Sequence, residues 1–279
     1  MNVAWILGPE MPNFAIVVEG AHDASFLGQI LKANGFSQAK MLNDVPDTWR
    51  ILFPKAFPVD GQSLNRVIRF PEILTKGDLA VGISTSGSDS KLISTLRSVL
   101  DALGTESLKA AAIFVDIDQH HPTARFQEIR RAMIAMNNAA NDELQPGYPV
   151  VVPDAAGLIK VGAPSVGIFM FPDNVNSGAL ESILIECALH SHPRITEAAT
   201  CLVDDLNSNC PINQSDMKNL RKGMGTLKAK AGVVANLLMP GTSLAVSLAQ
   251  TNWLQGDAFA AAKIVEITAF LRNLIGEDF

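Results

Sequence analysis

The chain has 279 residues, 28 of them acidic against 22 basic, for a formal net charge of −6. That length holds one large domain, or one domain with an appendage, and no apolar stretch approaches the roughly twenty residues of a membrane-spanning helix. The acidic balance excludes a strongly cationic, sequence-independent DNA binder but not a metal enzyme acting on nucleic acid, because bound cations reverse a field locally.

The opening "MNVAWILGPEMPNFAIVVEG" lacks the basic start of a signal peptide. The three cysteines, Cys187, Cys201 and Cys210, are too few and odd in number for a disulfide scaffold. Both features predict a cytoplasmic protein with no membrane contact. "FAIVVEG" (14–20) reads as a buried strand. A helix over 23–36 follows, with Phe26, Leu27, Ile30 and Leu31 on one face and Gly35 near its end. Residues 37–76 are proline-rich and read as an insertion of short irregular elements. "LAVGIST" (79–85) is a second strand. The helix predicted over 88–104 has Leu92, Ile93, Leu96, Val99, Leu100 and Leu103 in one stripe.

"AAIFVDIDQHH" (111–121) is a buried strand that ends in two aspartates. Pro122 suits the first turn of the next helix, which carries Phe126, Ile129, Met133 and Met136. A loop with Pro146, Pro149 and Pro153 leads to the strand "VGIFMF" (166–171) and a helix over 177–189. Beyond residue 190 the strand pattern fades, and 217–239 and 258–276 read as helices. Near-continuous apolar strands alternating with helices predict an α/β fold: a mostly parallel, Rossmann-like sheet with helices on both faces. The expected organisation is an α/β domain over 1–190, with the insertion at about 37–76, and a helical C-terminal region, 191–279, packed on it.

In such a sheet, ligands bind beyond the C-terminal ends of the strands. Acids gather there. The first strand ends in Glu19-Gly20, with Asp23 three residues on. The "VDID" strand ends in Asp116 and Asp118, which strand alternation places on one side. "IFMFPDN" ends in Asp173, with Glu181 in the first turns of the following helix. Clustered carboxylates repel and raise one another's pKa unless a cation neutralises them, and Mg²⁺ or Mn²⁺ prefers such oxygen ligands. A site for one or two ions suits phosphoryl transfer.

Simpler roles stand beside these. Asp23 is also placed to cap its helix, Asp173 to start a turn, and Glu181 to favour a helix N-terminus. His120 and His121 read as loop residues. Cys187, His190, His192 and Cys201 match no familiar zinc spacing, and buried structural cysteine is the commoner outcome.

The Glu-Gly pair in "VVEGAHDASFL" and the DxD in "IFVDID" resemble the Toprim family, the catalytic domain shared by topoisomerases, primases and several nucleases. Glu-Gly-x-x-Asp followed by "GALESIL" more closely resembles stand-alone Toprim-like proteins related to the OLD-family nucleases. The resemblance covers residues 14–190. It implies a Toprim-like fold and a hydrolase that cleaves phosphodiester bonds in DNA or RNA. It further implies that Asp116 and Asp118 bind Mg²⁺ or Mn²⁺, that Glu19 is a metal ligand or the general acid/base, and that Asp23 and Glu181 are secondary ligands. The OLD-like branch also uses a late lysine to stabilise charge. Lys228 and Lys230 are the candidates, although solvated helix lysines are the simpler reading of both.

Departures narrow the resemblance. The single tyrosine, Tyr148, lies in a proline-rich loop with no strand-passage domain, which excludes a topoisomerase. No zinc-binding or helicase-contacting region marks a primase. Gly82 to Asp89 has the glycine spacing of a P-loop but lacks its lysine, so an ATPase would be a separate protein. Two rivals remain: a haloacid-dehalogenase-type phosphatase using the DxD, with "CLVDDLN" (201–207) as its later acidic pair, and a catalytically inactive Toprim-like module that binds a partner or regulates. The sequence leaves a homo-oligomer open.

Overall fold

Alternation along the first strand organises the molecule: Phe14, Ile16 and Val18 point to one side of the sheet, Ala15 and Val17 to the other, and all are buried. The structure, a computed structural model, describes residues 11–54, 70–210 and 217–279. Residues 55–69 of the predicted insertion, and the first ten residues, lie outside the described residues.

Among the described residues seven strands form one sheet: β1 (Asn13–Val18), β2 (Ser37–Gln38), β3 (Glu72–Lys76), β4 (Leu79–Thr85), β5 (Leu108–Asp116), β6 (Ile159–Lys160) and β7 (Ser165–Phe171), in the order β2-β3-β4-β1-β5-β7-β6. The four central strands β4, β1, β5 and β7 run parallel, so their C-terminal ends share one edge. The outer strands β2, β3 and β6 pair antiparallel. The fold is therefore the predicted Rossmann-like α/β architecture, with antiparallel strands at both edges.

Helices cover each face. On one side lie α2 (Asp47–Arg50), α3 (Leu92–Leu103) and α4 (Pro122–Asp142), packing Trp49, Leu96, Leu100, Phe126 and Met133 against Val17, Ile113 and Ile168. Trp49 lies where a Cβ on Gly82 of β4 would be, 2.1 Å from the ring, and its Nε1 donates to Asn13 Oδ1 at 2.8 Å. Gly82 is thus the seat of the indole rather than part of a phosphate loop.

The opposite face carries α1 (Ala21–Ala33), α5 (Leu180–Ser191) and the helices beyond: α6 (Pro193–Asn209), α7 (Gly225–Leu238), α8 (Leu244–Gln250) and α9 (Ala262–Ile275). Phe270 of α9 stands edge-on to Phe114 of β5, with ring centroids 5.4 Å apart, and 5.3 Å from Phe169 of β7. Gly167 makes room for it, since a Cβ there would lie 2.6 Å from the Phe270 ring. The C-terminal helices therefore share one apolar core with the sheet. Among the described residues, no helix is long and apolar enough to cross a membrane.

Several helix boundaries differ from expectation by a few residues, two of them for evident local reasons. The first helix begins at Ala21, because Asp23 Oδ2 reaches back to accept the Gly20 N–H at 2.7 Å. The helix predicted over 217–239 begins only at Gly225: Gly223 has φ +54°, and a Cβ on Gly225 would lie 2.1 Å from the Asn219 carbonyl oxygen, so the chain turns first.

Candidate functional site

Because β1 and β5 are parallel neighbours, the residues that leave their C-terminal ends meet. Glu19 follows β1 directly, and its carbonyl accepts the Gly87 N–H at 2.7 Å, which ties it to the loop after β4. Asp23 sits one turn into α1. Asp116 is the last residue of β5, and its Oδ1 accepts the Leu180 N–H at 2.9 Å, at the start of α5. Glu181, the next residue, is 5% exposed, and its Oε2 is buried with no hydrogen-bond partner.

Asp118 is oriented by a different device from the one expected. The strand stops at Asp116, so alternation does not reach it. Instead Asp118 adopts φ 55° and forms an isolated bridge with Gly178, N to O at 2.6 Å and O from N at 2.9 Å. The DxD loop is thereby fastened to the turn before α5.

The electrostatics join these groups. Burial pushes Asp23 up to about 7, with Glu181 and Glu19 adding to it against the Gly20 N–H. Burial also raises Asp116 well above the usual carboxylate range, reinforced by Asp23, Glu181 and Asp118 and opposed by the Leu180 N–H. Glu19 is raised by burial, Asp89 and Asp118, with Lys228 and Arg125 opposing. Lys228 lies in the field of Glu181, Asp116, Asp118 and Glu19, whose charges outweigh the downward pull of its partial burial. Of the two candidate lysines, then, Lys228 faces the carboxylates. Lys230 is held by Asp204 of α6 at 2.8 Å.

Four residues around this cluster escape sequence reasoning. His22 is held below its ordinary pKa by burial, and both Glu181 and Lys228 act on it. Arg125, 3% exposed, pairs with Asp89 and with Glu128 at 2.9 Å, and its Nε donates to the Asp116 carbonyl at 3.2 Å. It binds the β4 loop to the DxD loop. Lys222 lines an open pocket with Asp118, Gln119, His120 and Gly223. His22, inside "EGAHD", and Arg125, one turn past Pro122, were visible as polar residues beside the motifs. Asp89 and Lys222 carry no such signal.

Other candidates fall elsewhere. Asp173 makes a turn, its Oδ1 accepting the Val175 and Asn176 N–H groups at 3.2 and 2.8 Å. The Tyr148 hydroxyl donates to Asp101 at 2.8 Å. Cys187 is buried, its thiol pushed up to about 12 by burial, while Cys201 and His190 are exposed. Among the described residues no three His, Cys, Asp or Glu side chains close on one point in ready ligand geometry. The carboxylates share a field, and mutual repulsion favours keeping them apart. The donor set nonetheless fits a hard divalent cation: all oxygens, several with raised proton affinity, and one buried oxygen on Glu181 left unpartnered.

Fold and site together define a Rossmann-like α/β protein with a carboxylate cluster at the C-terminal edge of its parallel strands. The chain belongs to the family described as "Protein of unknown function (DUF3226)", whose pattern it matches over residues 13–275. No curated protein matches its sequence significantly. Among solved structures it is similar to the crystal structure of hypothetical protein PH0156 from Pyrococcus horikoshii OT3, with 18% identity over 95% of this chain and 96% of that chain and a TM-score of 0.49.

Proposed function

We propose that the protein is a Toprim-like, Mg²⁺- or Mn²⁺-dependent nuclease of the OLD-like branch, hydrolysing phosphodiester bonds in DNA or RNA; any ATPase it needs would be a separate protein. The observation that carries this reading is the meeting of Glu19, Asp23, Asp116 and Glu181 at one sheet edge, with a buried carboxylate oxygen of Glu181 unpartnered. Asp116, Asp118 and Glu19 would hold the cation, with Asp23 and Glu181 behind them. When bound, the cation would neutralise these acids and polarise the phosphate.

The chain's own residues supply the rest. Where Glu19 is not itself a ligand, its place beside the cluster suits it to take a proton from the attacking water. Lys228, facing the same carboxylates, is suited to stabilise charge that develops on the phosphoryl oxygens. Arg125 holds the Asp116 carbonyl and keeps Asp89 paired beside Glu19. The later acidic pair of the phosphatase reading, Asp204 and Asp205, lies on α6, where Asp204 pairs with Lys230 and Asp205 accepts from Asn209.

Calorimetric titration of Mn²⁺ into wild type, Asp116→Asn and Glu19→Gln, followed by cleavage assays on labelled DNA and RNA, tests the proposal. Wild type should bind and cleave, and Asp116→Asn should lose cleavage and weaken binding by more than about tenfold, which is about 1.4 kcal/mol. A wild type that binds no Mn²⁺ would sink the metal reading. Binding without cleavage of either nucleic acid would favour the inactive, partner-binding module.

A further inference from the structure

Beside the carboxylate cluster, a pocket of about 390 Å³ opens between two loops of distant sequence origin. One wall is Asp118, Gln119 and His120 from the DxD loop. The other is Lys222 and Gly223 from the turn before α7. Both walls are anchored. The His120 N–H donates to the Ile117 carbonyl at 3.1 Å, and the His120 carbonyl accepts from Ser177 Oγ at 3.1 Å. On the far side, Arg221 Nη2 donates to the Cys210 carbonyl at 2.7 Å, pinning the Lys222 turn to the end of α6. The Gly225 N–H closes that turn on the Lys222 carbonyl at 2.9 Å. Lys222 itself is exposed, and no carboxylate among the described residues pairs with it.

Among the described residues the pocket's lining offers an ammonium, an imidazole, an amide and one carboxylate, and no aromatic or aliphatic side chain on which a base could stack. That chemistry suits a phosphate group rather than a nucleobase. We infer that Lys222 and His120 hold a second, non-scissile phosphate of the substrate strand, so that the backbone of a nucleic acid runs from the carboxylate cluster past Asp118 and between the two loops. This rests on the nuclease reading and specifies its substrate: a chain with at least two phosphates, bound by its backbone and without sequence preference. The Asp118 carboxylate on the pocket wall adds a condition. An anion is repelled there until a divalent cation takes up that charge, so strand binding and cation binding are coupled.

The test uses the full chain and a short single-stranded oligonucleotide, fluorescently labelled and with a hydrolysis-resistant phosphorothioate backbone, followed by anisotropy across a salt series. Wild type should bind it with Mn²⁺ present and lose it on chelation. Lys222→Gln should weaken binding about five- to tenfold and lower the slope of log affinity against log salt by about one, the signature of one lost phosphate contact. Lys222→Arg should restore both, and calorimetric Mn²⁺ binding should be the same in all three proteins. If Lys222→Gln leaves oligonucleotide affinity and salt slope unchanged while Mn²⁺ binds normally, the inference is wrong and the metal reading survives. If Lys222→Gln weakens Mn²⁺ binding along with the oligonucleotide, Lys222 only shapes the site, and the inference is again overturned. A wild type that binds no Mn²⁺ overturns the proposed function and this inference together.

Discussion

Asp116 serves two ends that conflict. Its Oδ1 accepts the Leu180 N–H and so steadies the start of α5, yet its charge is buried beside Asp23 and Glu181. Asparagine keeps the acceptor and removes the charge. Without metal, Asp116→Asn should therefore be more stable than wild type at pH 8, by about 1 kcal/mol or a rise of about 2–4 °C in Tm, although most substitutions of a half-buried polar residue destabilise. The same charges set the pH response. Asp23 moves from an ordinary 3.8 in the unfolded chain to about 7 in the fold, and Asp116 and Glu19 are raised as well. The folded protein binds more protons than the unfolded chain in that window, so stability is highest at its acid end and falls as pH rises toward 7 and beyond. Scanning calorimetry without metal should give a lower Tm at pH 8 than at pH 5, and Mn²⁺ should recover more at pH 8; a Tm that rises across this range would contradict the clustered site. The two lysines separate by activity. Lys228→Met should cut turnover about 10²- to 10³-fold, the cost of losing one charge-stabilising donor, and Lys230→Met should leave turnover unchanged while loosening α7 on α6.

Among elements, the short α2 depends on a glycine of the sheet beneath it. Gly82 lies midway along β4, where a side chain would ordinarily stand, and Trp49 of α2 occupies that space with its Nε1 on Asn13 of β1. One indole thus ties α2 to two strands. Gly82→Val would drive a branched side chain into the ring and lift α2 from the sheet, at a cost of about 3 kcal/mol. A lower denaturant midpoint and a red-shifted Trp emission would register it, and unchanged emission would mean that the indole does not depend on Gly82. Element contacts also assemble the site. Arg125 at the start of α4 reaches Asp89 and the Asp116 carbonyl, so α4 holds two strand-end loops while α5 holds the same aspartate through Leu180.

Across the whole molecule, the sheet and the C-terminal helices stand or fall together. Phe270 packs against Phe114 and Phe169, and Trp253 and Leu271 join the same buried cluster as the α1 and α5 side chains. Ending the chain at residue 190 would uncover that face of β5 and β7. Such a fragment should fail to unfold cooperatively, and Phe270→Ala in the full chain should cost about 3–5 kcal/mol. Urea titration followed by circular dichroism checks both, and a cooperative fragment would show that residues before 190 form an independent unit. The lysine of the candidate site makes the same point, since Lys228 comes from α7 in this region to face acids of β1, β5 and α5.

The sequence by itself determined the parallel core and the positions of its acids. A strand buried on both faces is an unbroken local run of apolar residues, so β1, β4, β5 and β7 were readable one at a time, and a parallel sheet delivers whatever follows them to one edge. Glu19, Asp23, Asp116 and Glu181 were legible for that reason. What the tertiary structure decided depends on contacts between segments far apart in the chain. Lys228 and Lys230 are two residues apart and alike in composition, and only the packing of α7 turns one to the carboxylates and the other to Asp204. Asp118 takes its orientation from Gly178, Arg125 its role from Asp89, and α9 its place on the sheet from the space above Gly167. Local periodicity records which residues are buried, but the partner that buries or pairs with each is chosen only when the chain closes on itself.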